Sequence, residues 1–587
     1  MKHYTRILAL LLALMLTLSA CSQGGSSAGE SSGTSSAASG ETAEEGETGG
    51  PILDLPLTTE DVTFTMFISG LDNLTSSFAM EDNDFTRKIY EDTGIKLEFI
   101  ACSPAEKNDK LSVLLNSGDY PDLIRDNYMS LNDIQYYADQ DIFISLDEYN
   151  LMEYPNIAAA YEEFPELDEA LRGSDGKLYT LPEVNDCLHN TYRGGRMHYY
   201  MPWFRDNDIE IPETLDEFTE YLRWVKTSDP NGNGEQDEIP FAFWNDESVI
   251  KNAISALAKP FLPWIQTDKD WGLAVVDGKV TEQYRTEEFR DALRYMNMLY
   301  EEGLILENSF SISQDELRAI GDDPDGPMIA VVAAFGADGA VQKGTARWAE
   351  YFFLMPPLEG PNGDKWAPNK DPWNIFYPGM MVTDRCSNPN LAVALYNYMI
   401  DFEVSMDGYI GPKGEAWDDP DSDGVSLRGD EAKYKLLVNY GTQRVNSSWN
   451  QYNPMMRNSD FRLGEQAQDY ETALEWLETG NPDLLEQVYT NPSFNEIANY
   501  NTALPLMEYA IPDEYFLPPM ALSDEDNTRV ADIKAVLDPY KLQVFAEFIT
   551  GTRDIETDWD AYLAELDAMG SPEMVEILQR NYDSKNQ

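Results

Sequence analysis

Beyond residue 55, apolar and polar residues alternate or repeat at helical spacing. Val62-Thr63-Phe64-Thr65-Met66-Phe67-Ile68 is rich in β-branched and aromatic residues and stops at Ser69-Gly70, which predicts a first strand. A polar stretch leads to helical spacing over 83–93. Ile95-Lys96-Leu97-Glu98-Phe99-Ile100 then alternates as a second strand, and a helix is predicted over 106–116, ahead of Leu123-Ile124. Strands separated by helices in this way indicate βαβ units and a mostly parallel sheet. Ligands of such sheets sit at the carboxyl ends of the strands, so 69–78 and 125–128 form a candidate site.

The first fifty residues follow another pattern. Lys2 and Arg6 precede an almost unbroken apolar run over 7–18, and Leu18-Ser19-Ala20-Cys21 follows. Basic, then apolar, then small residues make a secretory signal rather than a spanning helix. Residues 22–50 are almost entirely Ser, Gly, Ala, Thr and Glu, with no aromatic residue. Such a stretch buries too little surface to fold and is read as a tether, extended by repulsion among its glutamates. No later apolar stretch reaches the roughly 18 residues that span a bilayer.

Composition narrows the function classes. The 587 residues exceed one hydrophobic core and suggest two or three domains. Lys and Arg number 41 against 105 Asp and Glu, a net charge of -64. That field repels phosphate backbones and anionic headgroups, so nucleic acid is excluded as a partner and membrane attachment must be covalent. With three histidines in all, His3, His189 and His198, histidine-based catalysis has little material. Beyond Cys21, the cysteines Cys102, Cys187 and Cys386 allow one disulfide and read better as small buried residues.

One local motif carries chemistry. Asp229-Pro230-Asn231-Gly232-Asn233-Gly234-Glu235-Gln236-Asp237-Glu238 places oxygen side chains at positions 1, 3 and 5 and glycine at 6 of an EF-hand loop. Alternate residues of a tight loop point inward, and the Glu235 carbonyl stands at position 7. Position 12 is Pro240, so the bidentate glutamate is missing. A second stretch, Asp419-Pro420-Asp421-Ser422-Asp423-Gly424 with Asp430 at position 12, repeats the pattern and reads better as an acidic surface loop. No G-x-S-x-G, H-E-x-x-H or phosphate-loop signature is present.

These segments together carry a family resemblance. Leu18-Ser19-Ala20-Cys21 resembles the lipobox of bacterial lipoproteins, in which the cysteine is acylated and becomes the first residue. Ser117-Gly118-Asp119-Tyr120-Pro121-Asp122 is similar to the helix-to-strand junction of bacterial extracellular solute-binding proteins. Asp175-Gly176-Lys177-Leu178-Tyr179-Thr180-Leu181-Pro182 and Pro212-Glu213-Thr214-Leu215-Asp216-Glu217-Phe218 resemble the strand before, and the helix after, their first crossover between lobes. Phe548-Ile549-Thr550-Gly551 and Asp558-Trp559-Asp560-Ala561-Tyr562 look like the closing segment of the longer, oligosaccharide-type members of family 1.

The resemblance runs from about residue 58 to 585 and implies an α/β, two-lobed periplasmic-binding-protein-like fold of the maltose-binding type. Its lobes are discontinuous and joined by crossover hinges. The expected organisation is a signal peptide over 1–20, a lipidated Cys21 and linker over 21–54, and the first lobe over 55–185. The second lobe takes 186–373, the first lobe resumes over 374–430, and the second lobe closes over 431–587. Crossovers are expected at 183–189, at 373–379 and between about 405 and 440. The family's shortened calcium loop implies Asp229, Asn231, Asn233, Glu235, Asp237 and Glu238 as ligands of a structural calcium.

Function follows from the same resemblance: a monomeric lipoprotein on the outer face of the bacterial cytoplasmic membrane, delivering a carbohydrate to the permease subunits of an ABC importer. Sugars stack on aromatic rings and hydrogen-bond to acids and amides. The candidates at strand ends and crossovers are Asp72, Asn73 and Phe78; Asp126, Asn127 and Tyr128; Glu183 and Asn185; Phe335; Trp373 and Tyr377; and Trp449 and Tyr452. Trp203 and Trp476 sit on helical stretches and read as packing residues. The competing reading is a secreted glycoside hydrolase, which needs two opposed carboxylates that the sequence does not single out, or a surface carbohydrate receptor without a transport role.

Overall fold

The computed structural model describes residues 50–585 apart from 70–79, 104–105, 127–128, 187–194, 268–269, 324–327, 369–374, 440–443, 519 and 521. Cys21 and the tether therefore lie outside the described residues. In chain order the strands are β1 (Val62–Ser69), β2 (Ile95–Cys102), β3 (Leu123–Arg125), β4 (Leu181–Asn185), β5 (Met197–Tyr199), β6 (Ile239–Ala242), β7 (Leu273–Val276) and β8 (Lys279–Glu282). They continue with β9 (Ile329–Ala333), β10 (Phe353–Leu354), β11 (Phe376–Val382), β12 (Trp417–Asp418), β13 (Lys435–Leu436) and β14 (Met456–Arg457).

Two sheets define two α/β lobes. The first has the order β14-β4-β11-β3-β1-β2, the second β10-β5-β9-β6. β1 pairs in parallel with β2 and β3, and β4 in parallel with β14, while β11 runs antiparallel between β3 and β4. The mostly parallel sheet expected from sequence thus carries one reversed strand. The reason is topological: β4 leaves the first lobe at its carboxyl end, so a strand returning from the second lobe enters at that same end and runs the other way. β5 enters the second lobe likewise and is antiparallel to β9.

Period-two alternation fills both faces of the first sheet. Phe64, Met66 and Ile68 of β1 join the core on one face and Phe67 the core on the other; Met380 and Val382 of β11 divide from Met381 in the same way. The helix Asp84–Thr93 starts where Asn83 accepts a hydrogen bond from the Phe85 amide and ends at Gly94 in the left-handed region. The sequence motifs have matching structural causes. Asp122 accepts from the Thr65 amide and hydroxyl at 2.7 and 2.6 Å, pinning the junction to β1. Thr214 and Glu217 form a reciprocal capping box at the start of Leu215–Thr227. The second lobe's core gathers its sheet with the helices Glu247–Ala258, Glu287–Glu301 and Asp524–Ile549, and it includes Trp203 and Trp476.

The third crossover differs from expectation. β14 pairs in parallel with β4 through Met456↔Val184 and Arg457↔Asn185. The chain therefore stays in the first lobe's sheet to Arg457, well past the boundary placed at 430. It joins the second lobe's core through Tyr470–Thr479, whose Ala473 and Trp476 are buried there. The stretch between holds a smaller core around Met406, Trp417, Tyr434 and Phe461, which includes the β12–β13 pair. Cys102 and Cys386 are buried and free. Among the described residues no helix is long and apolar enough to cross a membrane.

Candidate ligand cleft and calcium loop

The carboxyl ends of β1, β2, β3, β4 and β14 and the amino end of β11 lie at one end of the first lobe, where two crossovers depart and one arrives. A buried charge cluster organises this end. Glu183, fully buried, sits between Arg125 (Nη2 to Oε2, 2.6 Å) and Arg457 (Nη2 to Oε1, 2.9 Å). Arg125 also donates to the carbonyls of Tyr452, Gly379 and Asn453 at 3.0, 3.0 and 3.3 Å. One guanidinium thus ties β3 to β4, β11 and the segment before β14. Burial pushes the Glu183 carboxyl up, and the two guanidinium groups oppose that shift. Breaking such a cluster by removing one partner leaves an uncompensated buried charge.

This placement corrects two sequence-predicted ligand contacts. Glu183 has no surface to offer a ligand; it holds the sheet end together. Trp449 is buried in the first lobe's core, edge-on to Phe85 and Phe99 at 5.2 and 5.5 Å, and its Nε1 donates to Thr86 Oγ1 at 2.9 Å. It packs under the helix Asp84–Thr93. Asp126 is also buried, paired with Lys107 Nζ at 3.1 Å.

The structure does gather other candidates. Asn185, Tyr377 and Tyr452 are half-buried at the same end of the first lobe. Tyr377 stands opposite Glu183 across the β4–β11 pair, and Asn185 Oδ1 accepts from Arg462 Nη2 at 3.3 Å. Phe335, also half-buried, follows β9 at the corresponding end of the second lobe, where its carbonyl accepts from Arg196 Nη1 at 3.4 Å. Asp72, Asn73, Phe78, Asn127, Tyr128 and Trp373 lie outside the described residues. Sequence reasoning missed Arg125, Arg457 and Arg462. A cation closing an apolar strand, as in Leu123-Ile124-Arg125, was the available signal for the first.

Between the lobes, on the flank of the helix Leu131–Ala138, lies a cavity of about 920 Å³. Asn132 Nδ2 donates across it to Asn527 Oδ1 at 2.6 Å, and Lys585 approaches Glu169 at 3.8 Å. None of the sequence-predicted ligand residues lines it.

The loop 229–238 folds as its spacing suggests. Asp229 accepts from the amides of Asn233 (3.1 Å) and Gly234 (2.9 Å), Asn231 from that of Asn233 (2.9 Å), and Asn233 from that of Glu235 (2.7 Å). Gly234 at φ +91° permits the turn. Among the described residues no three His, Cys, Asp or Glu side chains are grouped as a metal site; the loop's set mixes three carboxylates with amide and carbonyl oxygens. Glu238 provides the test of fit. It is buried, neither carboxylate oxygen has a hydrogen bond of good geometry, and burial raises its pKa; its own amide and that of Asn231 oppose the shift, and the charges of Asp237 and Asp229 add to it. A buried carboxylate so weakly answered, beside two further carboxylates, suits a hard cation. The second acidic loop is different. Lys413 pairs with Asp419 at 2.6 Å, Lys435 with Asp421 at 2.9 Å and Arg428 with Asp430 at 3.1 Å, so three of its carboxylates are already answered by cations of the chain.

No protein-family model matches the chain. In sequence it is 23% identical over 515 residues to the fructooligosaccharide ABC transporter substrate-binding protein FusA of Streptococcus pneumoniae, covering 85% of this chain and 86% of FusA. It is 24% identical over 416 residues to the lipoprotein LipO of Bacillus subtilis, covering 68% and 77% of the two chains. In structure it matches FusA in complex with kestose at a TM-score of 0.70 and 21% identity, over 89% of this chain and 99% of that one. A FusA EF-hand mutant in complex with fructo-nystose matches at the same TM-score. The two-lobed α/β fold is therefore that of solute-binding proteins. These relatives are binding proteins rather than hydrolases, and the hydrolase reading is set aside.

Proposed function

We infer that this chain, an extracellular solute-binding protein of the ABC-transporter class related to FusA and LipO, captures an oligosaccharide between its lobes and delivers it to membrane permease subunits. The observation that carries this reading is the pair of sheets whose strand ends meet at the crossovers, with half-buried Asn185, Tyr377 and Tyr452 on one side and Phe335 on the other. Aromatic faces and amides there supply stacking and hydrogen bonds to a neutral polyhydroxyl ligand. Arg125, Arg457 and Glu183 hold the first lobe's share of the site rigid without touching the ligand. Binding favours the closed form only as far as the ligand gains contacts from both lobes at once. Acylation of Cys21 and the tether keep the receptor at the outer membrane face, and several acyl chains make that anchor stable.

Calcium in the loop 229–238 belongs to the same proposal. Asp229, Asn231, Asn233, the Glu235 carbonyl, Asp237 and Glu238 would hold it, and its contribution is structural, neutralising carboxylates at the end of Leu215–Thr227 and the start of β6.

A melting-temperature screen across mono- and oligosaccharides, followed by calorimetry on each hit, tests the function. A ligand at 100 times its Kd stabilises by about 2.7 kcal/mol. Stabilisation by an oligosaccharide, with no products after prolonged incubation, is the expected result. Turnover of the ligand, or stabilisation only by solutes other than carbohydrates, overturns the reading.

A further inference from the structure

Arg462 lies in the last turn of the helix Ser459–Leu463, on the third crossover, and is buried. That helix starts directly after β14, where Asn458 accepts from the Phe461 amide at 3.0 Å. The guanidinium is fixed from three sides. Nη2 donates to Asn185 Oδ1 and Nη1 to the Tyr409 hydroxyl, both at 3.3 Å. Its central carbon stands 5.6 Å from the centre of the Tyr409 ring. Burial pushes the Glu496 carboxyl up and the Arg462 charge opposes that shift, so the arginine also answers a carboxylate on the second-lobe helix Phe494–Ala503.

Asn185 ends β4 two residues after Glu183, so both side chains leave the same face of the strand. The segment 457–462 sends a cation to each of them, Arg457 to Glu183 at 2.9 Å and Arg462 to Asn185. The two contacts differ in what they leave over. Glu183 is fully buried and carries acceptors only, whereas Asn185 is half-buried and its carboxamide has an oxygen acceptor and an N–H2 donor. A guanidinium has five N–H groups and no acceptor, so Asn185 must turn its oxygen to Arg462 and its nitrogen away. Among the described residues no partner stands at that nitrogen.

We propose that Arg462 is a positioning residue for carbohydrate binding, which locks the Asn185 carboxamide with its nitrogen towards the cleft so that Asn185 meets the ligand as a donor only. This rests on the carbohydrate reading of the cleft and sharpens it. The sugar atom that faces Asn185 is an acceptor: a hydroxyl, ring or glycosidic oxygen. A free ammonium group at that position would set N–H against N–H, so cationic amino sugars are rejected there.

Calorimetry with the tightest-binding oligosaccharide of the screen tests the proposal. Asn185→Asp keeps an acceptor for Arg462 and lacks the donor, whereas Asn185→Ala lacks both. Each should weaken Kd by about five- to 150-fold, the aspartate gaining nothing over the alanine. Without sugar, Asn185→Asp should melt at or above the wild type, because its carboxylate pairs with Arg462. Arg462→Met should weaken Kd by about tenfold in the wild-type background and leave it unchanged in the Asn185→Ala background, since it acts through Asn185. A general loosening of the crossover would weaken both backgrounds alike. Should Arg462→Met not fold, Arg462→Gln takes its place in the cycle, because it can accept as well as donate and so frees the Asn185 carboxamide to turn. An Asn185→Asp variant that binds as tightly as the wild type, or an equal loss from the Arg462 substitution in both backgrounds, overturns the proposal and leaves the carbohydrate reading intact. A wild type that binds no oligosaccharide overturns both.

Discussion

Trp449, beside Asn450, Gln451 and Tyr452, looks in sequence like a sugar platform among amides. The same run describes a core residue at the end of a loop, and only packing against Phe85 and Phe99, far away in the chain, distinguishes the two. Trp449→Ala should therefore lower stability by about 3–5 kcal/mol in denaturant unfolding, the usual cost of emptying an aromatic site in a core. Unchanged stability with weakened sugar binding would return the side chain to the cleft. Glu465 offers a pH test. It is 1% exposed, and neither carboxylate oxygen has a hydrogen-bond partner. Burial first, then the Glu496 charge, raise its pKa well above the 4.5 of an ordinary glutamate. The folded state thus keeps a proton that the unfolded chain releases near pH 4.5, so this contribution is complete below that pH and is lost as pH rises towards the folded value. Glu465→Gln, which keeps the shape without the titration, should be more stable than wild type at pH 8 and equal to it near pH 4. A gap that is independent of pH would show that Glu465 does not titrate in this way.

At the scale of elements, local pattern was enough wherever one element decides its own form. The strand expected over 62–68 spans Val62–Ser69, and the helices expected over 83–93 and 106–116 span Asp84–Thr93 and Lys107–Ser117. The EF-like loop was equally legible, because its side chains bond to amides within five residues of themselves. β14 was not legible. It is two residues long, and what places it is pairing with β4 and the bond from Arg457 to Glu183, 274 positions away. The loop carries the element-scale prediction. If calcium fills it, chelation should lower the melting temperature of the wild type, since a metal bound only by the folded state adds stability by mass action. Asp229→Ala removes the first charged ligand together with the acceptor for two loop amides, so it should melt lower than wild type and ignore the chelator. A wild-type melting curve that responds to neither chelator nor added calcium would make the loop a plain turn.

At the scale of the molecule, the crossovers impose the geometry of the site. Each lobe's sheet must present one end to the other lobe, because strands that leave one lobe and enter the next do so at that end. Hence the reversed β5 and β11, and hence Asn185 and Tyr377 at the crossover end of the first sheet and Phe335 after β9 in the second. The family resemblance found the strand ends, yet it did not separate the residues that brace them, Glu183 and Trp449, from those that face outward. Burial alone makes that distinction, and it depends on the assembled sheet. Outside the crossovers, the large cavity beside Leu131–Ala138 lies between residues of both lobes, with Asn132 bonded to Asn527 and Lys585 near Glu169. A ligand that bonds to both lobes should then draw them together, and small-angle scattering should show a smaller radius of gyration on saturation with the best oligosaccharide from the screen. Tyr377→Ala separates binding from closure. If the ring is a stacking platform, its loss should weaken Kd by roughly five- to 150-fold, equivalent to about 1–3 kcal/mol by analogy with bases stacked on aromatic side chains. At a ligand concentration that saturates the wild type only, the variant should keep the larger radius, and at proportionally higher concentration it should close fully. A variant that binds as tightly as wild type would remove Tyr377 from the site, and a wild type that binds without any change of radius would remove lobe closure from the mechanism.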